Sequence, residues 1–146
     1  MSRILPYFSF QGRANRQPYW LTALSLVGGM LLASLLAYAV PLAGIVMAGL
    51  VYLACLVVGL SVAVRRLHDR GKTGWWLLPM YLPLILVSAL GALVQASPGE
   101  PNVVFSALTL PFSIWILVEL GCLRGTVGPN RFGPDPIPPS MVEVFD

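Results

Sequence analysis

Two long stretches of this chain carry no charge at neutral pH, Gln17 to Val64 and Thr73 to Gly99, and a dense polar cluster separates them. That cluster is Arg65-Arg66-Leu67-His68-Asp69-Arg70-Gly71-Lys72-Thr73-Gly74-Trp75-Trp76. It holds four of the nine basic residues, the only histidine and two of the four tryptophans. The pattern reads as a short hydrophilic turn between membrane spans. One crossing needs about 20 apolar residues at 1.5 Å rise each, and the first uncharged stretch is about 46 residues from Tyr19 to Val64. It therefore holds two helices, near residues 19–40 and 42–64. Pro41 and Gly44 mark the turn, because proline cannot continue the first helix and glycine tolerates a reversed backbone.

A third span is expected near residues 75–96, with Pro79 and Pro83 one turn apart near its start. Each proline removes a backbone donor, so a bent helix is expected there. Residues 97–102 form an outer turn whose only charge is Glu100. The fourth span covers about residues 103–123, with Pro111 inside it and Glu119 in its last turns. Residues 1–18 read as an interfacial head: Ile4, Leu5, Tyr7, Phe8 and Phe10 supply apolar contact, and Arg3, Arg13 and Arg16 keep it from crossing. A cleaved signal peptide does not fit, because the apolar run is too long and leads into a second span. The tail, residues 124–146, is rich in glycine and proline. It is either a linker-like coil or a fixed irregular strap across the inner face.

Composition agrees with this reading. The chain is 57% hydrophobic and 10% charged, with a mean hydropathy of +0.79, whereas a soluble domain carries about 25% charged residues. Its length fits one unit, residues 1–146. The net charge of +3 and pI near 9.2 are an orientation signal here, and nucleic acid is not an expected partner. All nine lysines and arginines fall in head, cluster or tail, and none in the outer turns. That positive-inside pattern puts both termini in the cytoplasm. Tyr7, Tyr19, Trp20, Trp75 and Trp76 form the inner aromatic belt.

Close approach of helices in lipid depends on small residues. Ser25, Gly29, Ala33 and Ala37 make such a ladder on the first span, Gly44, Ala48, Cys55, Gly59 and Ala63 on the second, and Ser88, Ala92 and Ala96 on the third. These stripes face one another or line a homodimer seam. Cys55 and Cys122 show no metal or disulfide spacing and are expected to be packed thiols.

The chemical signals are sparse. Gly71-Lys72-Thr73 resembles the end of a phosphate-binding loop, but Arg66 stands where that motif needs its first glycine, and no strand precedes it. His68 and Asp69 are adjacent and so point in different directions on a helix. One histidine makes no multi-histidine metal site. No catalytic residue, metal or cofactor is expected. Arg65, Arg66, Arg70 and Lys72 exceed what orientation requires, and arginine forks bind phosphate or carboxylate bidentately. If the second helix runs past Val64, Arg65 and Asp69 become i,i+4 partners. Glu119, the only carboxylate within a span, is expected to form an intramembrane ion pair with Arg65 or Arg66. The competing expectation is a proton-carrying acid.

Three motifs then make the chain recognisable: Phe10-x-Gly12-Arg13-x-Asn15-Arg16-x-x-Tyr19-Trp20; Arg65-Arg66-Leu67-His68-Asp69-x-Gly71-x-x-Gly74-Trp75-Trp76; and Gly128-x-Asn130-x-Phe132-Gly133-x-Asp135-Pro136. Together they resemble the bacterial inner-membrane family labelled domain of unknown function 805, the YhaH-like proteins. The resemblance implies a small four-helix inner-membrane protein and no established activity.

The expected fold is therefore all-α and polytopic, with four transmembrane helices, short loops and both termini cytoplasmic. The expected function is non-enzymatic binding or assembly. In it a polar layer of Arg13, Asn15, Arg16, Arg65, Arg66, His68, Asp69, Arg70, Lys72, Asn130 and Arg131 engages anionic lipid headgroups, or a partner protein or second copy in the membrane. The alternative is a small transporter or channel component, which ought to carry ionisable groups at mid-depth facing a cavity.

Overall fold

The computed structural model describes residues 8–94 and 103–137. The outer turn with Glu100, the residues before Phe8 and those after Ile137 lie outside that range. Among the described residues four helices are long and apolar enough to cross a membrane. Their α-helical parts are α1 (Arg16–Ala39), α2 (Pro41–Asp69), α3 (Leu77–Val94) and α4 (Val103–Ile116), the last reaching spanning length only with the turn that follows it, Val103–Cys122. A 3-10 turn, Gly74–Trp76, leads into α3, and a π-helical turn, Leu117–Cys122, extends α4.

The helix ends explain the differences from the expected spans. α1 starts at Arg16, three residues early, because Asn15 caps it: its side-chain oxygen accepts from the Gln17 amide at 3.1 Å. α2 carries the polar cluster on its last turns and stops only at Asp69. Its end is a Schellman motif, in which the Lys72 amide donates to the Leu67 carbonyl and the Gly71 amide to the His68 carbonyl. Gly71 takes φ +70° there, a left-handed conformation that glycine adopts without strain.

α1 and α2 pack along their length as one hairpin, and α3 and α4 as another. In the first, a Cβ on Gly44 would fall on the Leu36 carbonyl and 2.7 Å from the Ala37 Cα. Ala33, Ala48 and Cys55 are buried along the seam. The seam on α1 runs through Thr22, Leu26, Gly29 and Ala33, and Ser25 faces out, since a 3.6-residue repeat drifts off a strict four-residue ladder. The stripe expected on α3 is also displaced. Ser88 and Ala92 are exposed, Ala96 lies outside the described residues, and the inner face is Met80, Leu84, Val87 and Gly91. Gly91 lies against Phe105, where a Cβ would sit 2.8 Å from the phenylalanine Cβ. Cys55 is packed as expected, whereas Cys122 is exposed, because the π turn buries Glu119, Leu120 and Gly121 instead.

The outer faces of the helices remain apolar and open: Leu24, Leu31, Leu35, Ile85, Leu86 and Ile114 are all exposed. Lipid is the solvent that suits them. The two hairpins meet at one end only. There Ala63, Leu67, Met80 and Leu120 form a buried cluster, ringed by Tyr19, Leu77, Tyr81, Trp115 and Ile116.

Candidate functional site

Directly beyond that cluster lies a polar layer made from the head, the end of α2, the end of α4 and the tail. Two helices terminate in it, and a helix C-terminus leaves four backbone carbonyls without intrahelical donors. The sequence supplies those donors from other segments. At the end of α4, four consecutive carbonyls are each met by a side chain. Arg66 Nε donates to Leu120 at 2.8 Å, Trp20 Nε1 to Gly121 at 3.1 Å, Arg16 to Cys122 at 3.2 Å, and the Arg66 fork also reaches Leu123. At the end of α2, Asn130 donates to His68 at 2.9 Å. Thr126 gives both its amide and its hydroxyl to Asp69, at 2.8 and 3.0 Å. Arginine is suited to this position, since cations at helix C-termini also oppose the helix dipole.

Asp69 is the centre of the layer. One carboxylate oxygen takes Arg13 Nε at 3.0 Å, and the other takes Arg66. All three side chains are almost wholly enclosed. Arg65 is therefore not the i,i+4 partner of Asp69; the pair forms at i,i+3 with Arg66, and the second arginine comes from the head. Arg13 reaches on to the carbonyls of Gly128 at 2.6 Å and of Thr126, which pins the tail. Over residues 124–137 the tail is thus a fixed strap. Its closest approach is at Gly125, where a Cβ would fall on the Asp69 carboxylate. Gly125, Thr126 and the π turn were not foreseen from sequence. Nothing in their spacing marks them, although a glycine next to a fixed polar cluster is the signal that could have been used.

Glu119 is buried at the lower edge of the layer and pairs with Lys72 at 2.6 Å and Arg70 at 3.0 Å. The partners expected from depth, Arg65 and Arg66, are wrong. Arg66 is engaged by Asp69 and two carbonyls, while the chain reversal after α2 swings Arg70 and Lys72 back toward α4. Lys72 also sits 4.6 Å over the Trp76 ring, a cation–π contact. The His68 ring stacks on Phe132 at 3.9 Å with an interplanar angle of 4°. Its Nδ1 faces the Gly12 carbonyl at 3.1 Å, so that nitrogen carries the proton. The Asp69 carboxylate is committed to arginines and does not orient the imidazole, so the two do not form an acid–base dyad. Arg131 donates to the Gly71 carbonyl at 3.1 Å and lies over Phe132. Arg65 gives its backbone carbonyl to the Ala14 amide at 3.1 Å.

Asp135 fixes the strap's last turn, accepting from Gly128 at 2.7 Å and Ile137 at 3.0 Å. The Ile137 and Gly128 amides, with Arg13 and Arg124 adding positive charge, hold its carboxyl below the usual carboxylate range. No three histidine, cysteine or acidic side chains gather as a metal set among the described residues.

The layer is thus assembled from the three sequence motifs. A family model described as "Protein of unknown function (DUF805)" matches residues 7–134, a range that contains nearly all of the layer. The chain belongs to the DUF805 family. Among its curated relatives in Escherichia coli strain K12 is the "Uncharacterized protein YiiR", 32% identical over 88% of this chain and 86% of that protein. The "Inner membrane protein YhaI" is 31% identical over 93% of this chain and 92% of YhaI. The "Inner membrane protein YhaH" is 29% identical over 89% of this chain and 88% of YhaH. No solved structure matches the chain. This DUF805 member is an inner-membrane protein with four helices able to span the bilayer.

Proposed function

We propose that this DUF805 protein is a non-enzymatic binding protein of the inner membrane whose polar layer faces the cytoplasm and engages anionic lipid headgroups. The supporting observation is the layer's charge balance. All nine basic residues of the chain lie in the segments assigned to this face, against five acidic ones (Asp69, Glu119, Asp135, Glu143, Asp146), so nine less five leaves four positive charges on those segments. Internal pairing consumes Arg13 and Arg66 on Asp69, and Arg70 and Lys72 on Glu119. Arg16, Arg124 and Arg131 lie outside those pairs, at headgroup depth beside the interfacial Trp20, Trp75 and Trp76. Basic residues at that depth attract anionic lipid by about 1 kcal/mol each, and the positive-inside rule places such an end in the cytoplasm.

The reading is tested by melting the detergent-extracted protein with added phosphatidylglycerol or phosphatidylethanolamine. Phosphatidylglycerol is expected to raise the midpoint by several degrees more, with the difference shrinking as salt screens it. Equal midpoints with the two lipids would refute the reading.

A further inference from the structure

A cavity of about 220 Å³ opens between the start of α1, the end of α2 and the strap, lined by Arg16, Arg66, Asp69, Arg124, Thr126 and Asp135, among others. Its two acids are already spent. Asp69 is held by Arg13 and Arg66, and Asp135 accepts two backbone amides. Among the described residues Arg16 uses one donor, on the Cys122 carbonyl, of the five a guanidinium carries, and its side chain lines the cavity. Arg124 gives its backbone carbonyl to Arg70, and its guanidinium makes no hydrogen bond among the described residues. Three arginines against two aspartates leave the lining one positive charge in excess. At the rim formed by Asn15 and Gln17 the cavity meets a second, apolar groove of about 470 Å³. That groove descends between α1 and α2 along Pro18, Leu21, Thr22, Ser25, Leu26 and Val58.

From this juxtaposition, and resting on the lipid reading above, we infer that the site holds one anionic glycerophospholipid. Its phosphodiester lies between Arg16 and Arg124, and one acyl chain lies along the α1–α2 groove. Two arginine forks provide the planar, multiple donors that phosphate oxygens accept. The contiguous membrane-facing groove makes the occupant a lipid rather than a free anion, because a soluble phosphate would leave the groove unused. The rim residues order the ligand from head to tail: cationic cavity above Asn15 and Gln17, apolar wall below.

The test uses native mass spectrometry of the full-length protein in mild detergent, with phosphatidylglycerol, phosphatidylethanolamine and inorganic phosphate as probes. The wild type is expected to retain one phosphatidylglycerol per chain. Arg124→Gln is expected to weaken retention about tenfold, the size of one charge-assisted hydrogen bond. Ser25→Trp fills the groove from an exposed position whose hydroxyl donates to the Leu21 carbonyl of its own helix, and it too should lower retention. Tyr38→Phe, at the far end of α1 and 88% exposed, should change nothing. Selective phosphatidylglycerol retention unaffected by both Arg124→Gln and Ser25→Trp would overturn this site while sparing the broader lipid reading. No selectivity in the wild type would overturn both. Phosphate binding that Arg124→Gln abolishes, with lipid retention indifferent to Ser25→Trp, would also overturn the proposal in favour of a soluble anion.

Discussion

Replacing Asp69 by asparagine keeps the shape of the layer's central side chain and removes its charge. The substitution leaves Arg13 and Arg66 close together, both nearly wholly enclosed, without the carboxylate that neutralises them. It also turns one acceptor oxygen into an NH2 group that faces a guanidinium. Removing one partner of a buried ion pair costs about 3–5 kcal/mol, because the remaining charge stays desolvated. A membrane domain of this size has little stability to spare beyond ~5–15 kcal/mol, so Asp69→Asn is expected to lower the detergent melting midpoint severely. The comparison is Asp135→Asn, which alters the strap's last turn at the edge of the layer and is expected to have a small effect. A double-mutant cycle with Arg13→Gln separates the pair from general damage. A coupling energy of about 1–3 kcal/mol between positions 13 and 69 is expected for residues in one buried network. If Asp69→Asn and Asp135→Asn shift the midpoint equally, or if positions 13 and 69 prove additive, the layer is solvated and the reasoning fails.

Gly125→Ala should approach Asp69→Asn in severity, since its Cβ would displace the carboxylate, whereas Gly49→Ala in α2, with open space around it, should be neutral in the same melting assay. Because the folded Asp135 carboxyl titrates below its ordinary value, its contribution to holding the strap is complete above the usual carboxylate range and is lost as pH falls through the depressed value. Proteolysis of the tail should therefore rise on acidification below that range in the wild type, and Asp135→Asn should already be sensitive at neutral pH. Reporters fused after Gln17, Gly71 and Asp146 should all read cytoplasmic and one at Gly99 external. An external signal at Gly71 would refute the orientation. Glu119→Gln should destabilise the fold, and the exchange Glu119→Lys with Lys72→Glu should recover part of the loss, while exchange with Arg65 should not. A Glu119→Gln protein as stable as wild type would sink the ion-pair reading.

Charge spacing alone made the four helices and the shared face of the three motifs legible. An uncharged run of about two crossings admits few other structures, and arginines confined to three segments had to gather at one membrane face. The pairing within that face was less legible, because it depends on where each helix stops. Asp69 reads as a partner of Arg65 if the helix is only extrapolated. The helix instead delivers Arg66, at i,i+3, and the incoming head delivers Arg13. Glu119 illustrates the same limit. Depth along α4 suggested Arg65 or Arg66, but the reversal at Gly71 brings Arg70 and Lys72 back over the π turn, and no periodicity encodes a reversal. Contacts made by backbone carbonyls are the least visible of all. Leu120, Gly121, Cys122 and Leu123 look like the tail of an apolar span, yet their main chain is what Arg66, Trp20 and Arg16 recognise.

Those carbonyls also explain why so much charge sits in one layer. Between helices in lipid there is no hydrophobic drive to association, and the two hairpins touch along little of their length. Joining them needs directional bonds that both survive at the membrane edge and satisfy helix ends. Arginine does this with one side chain: Arg66 binds an acid on its own helix and two carbonyls on another. Lysine, a single point donor, would not span that geometry. Most of the layer's cations are thus committed to holding the fold. On the proposed reading, binding falls instead to Arg16 and Arg124, which line with Arg66 a cavity open to the groove below.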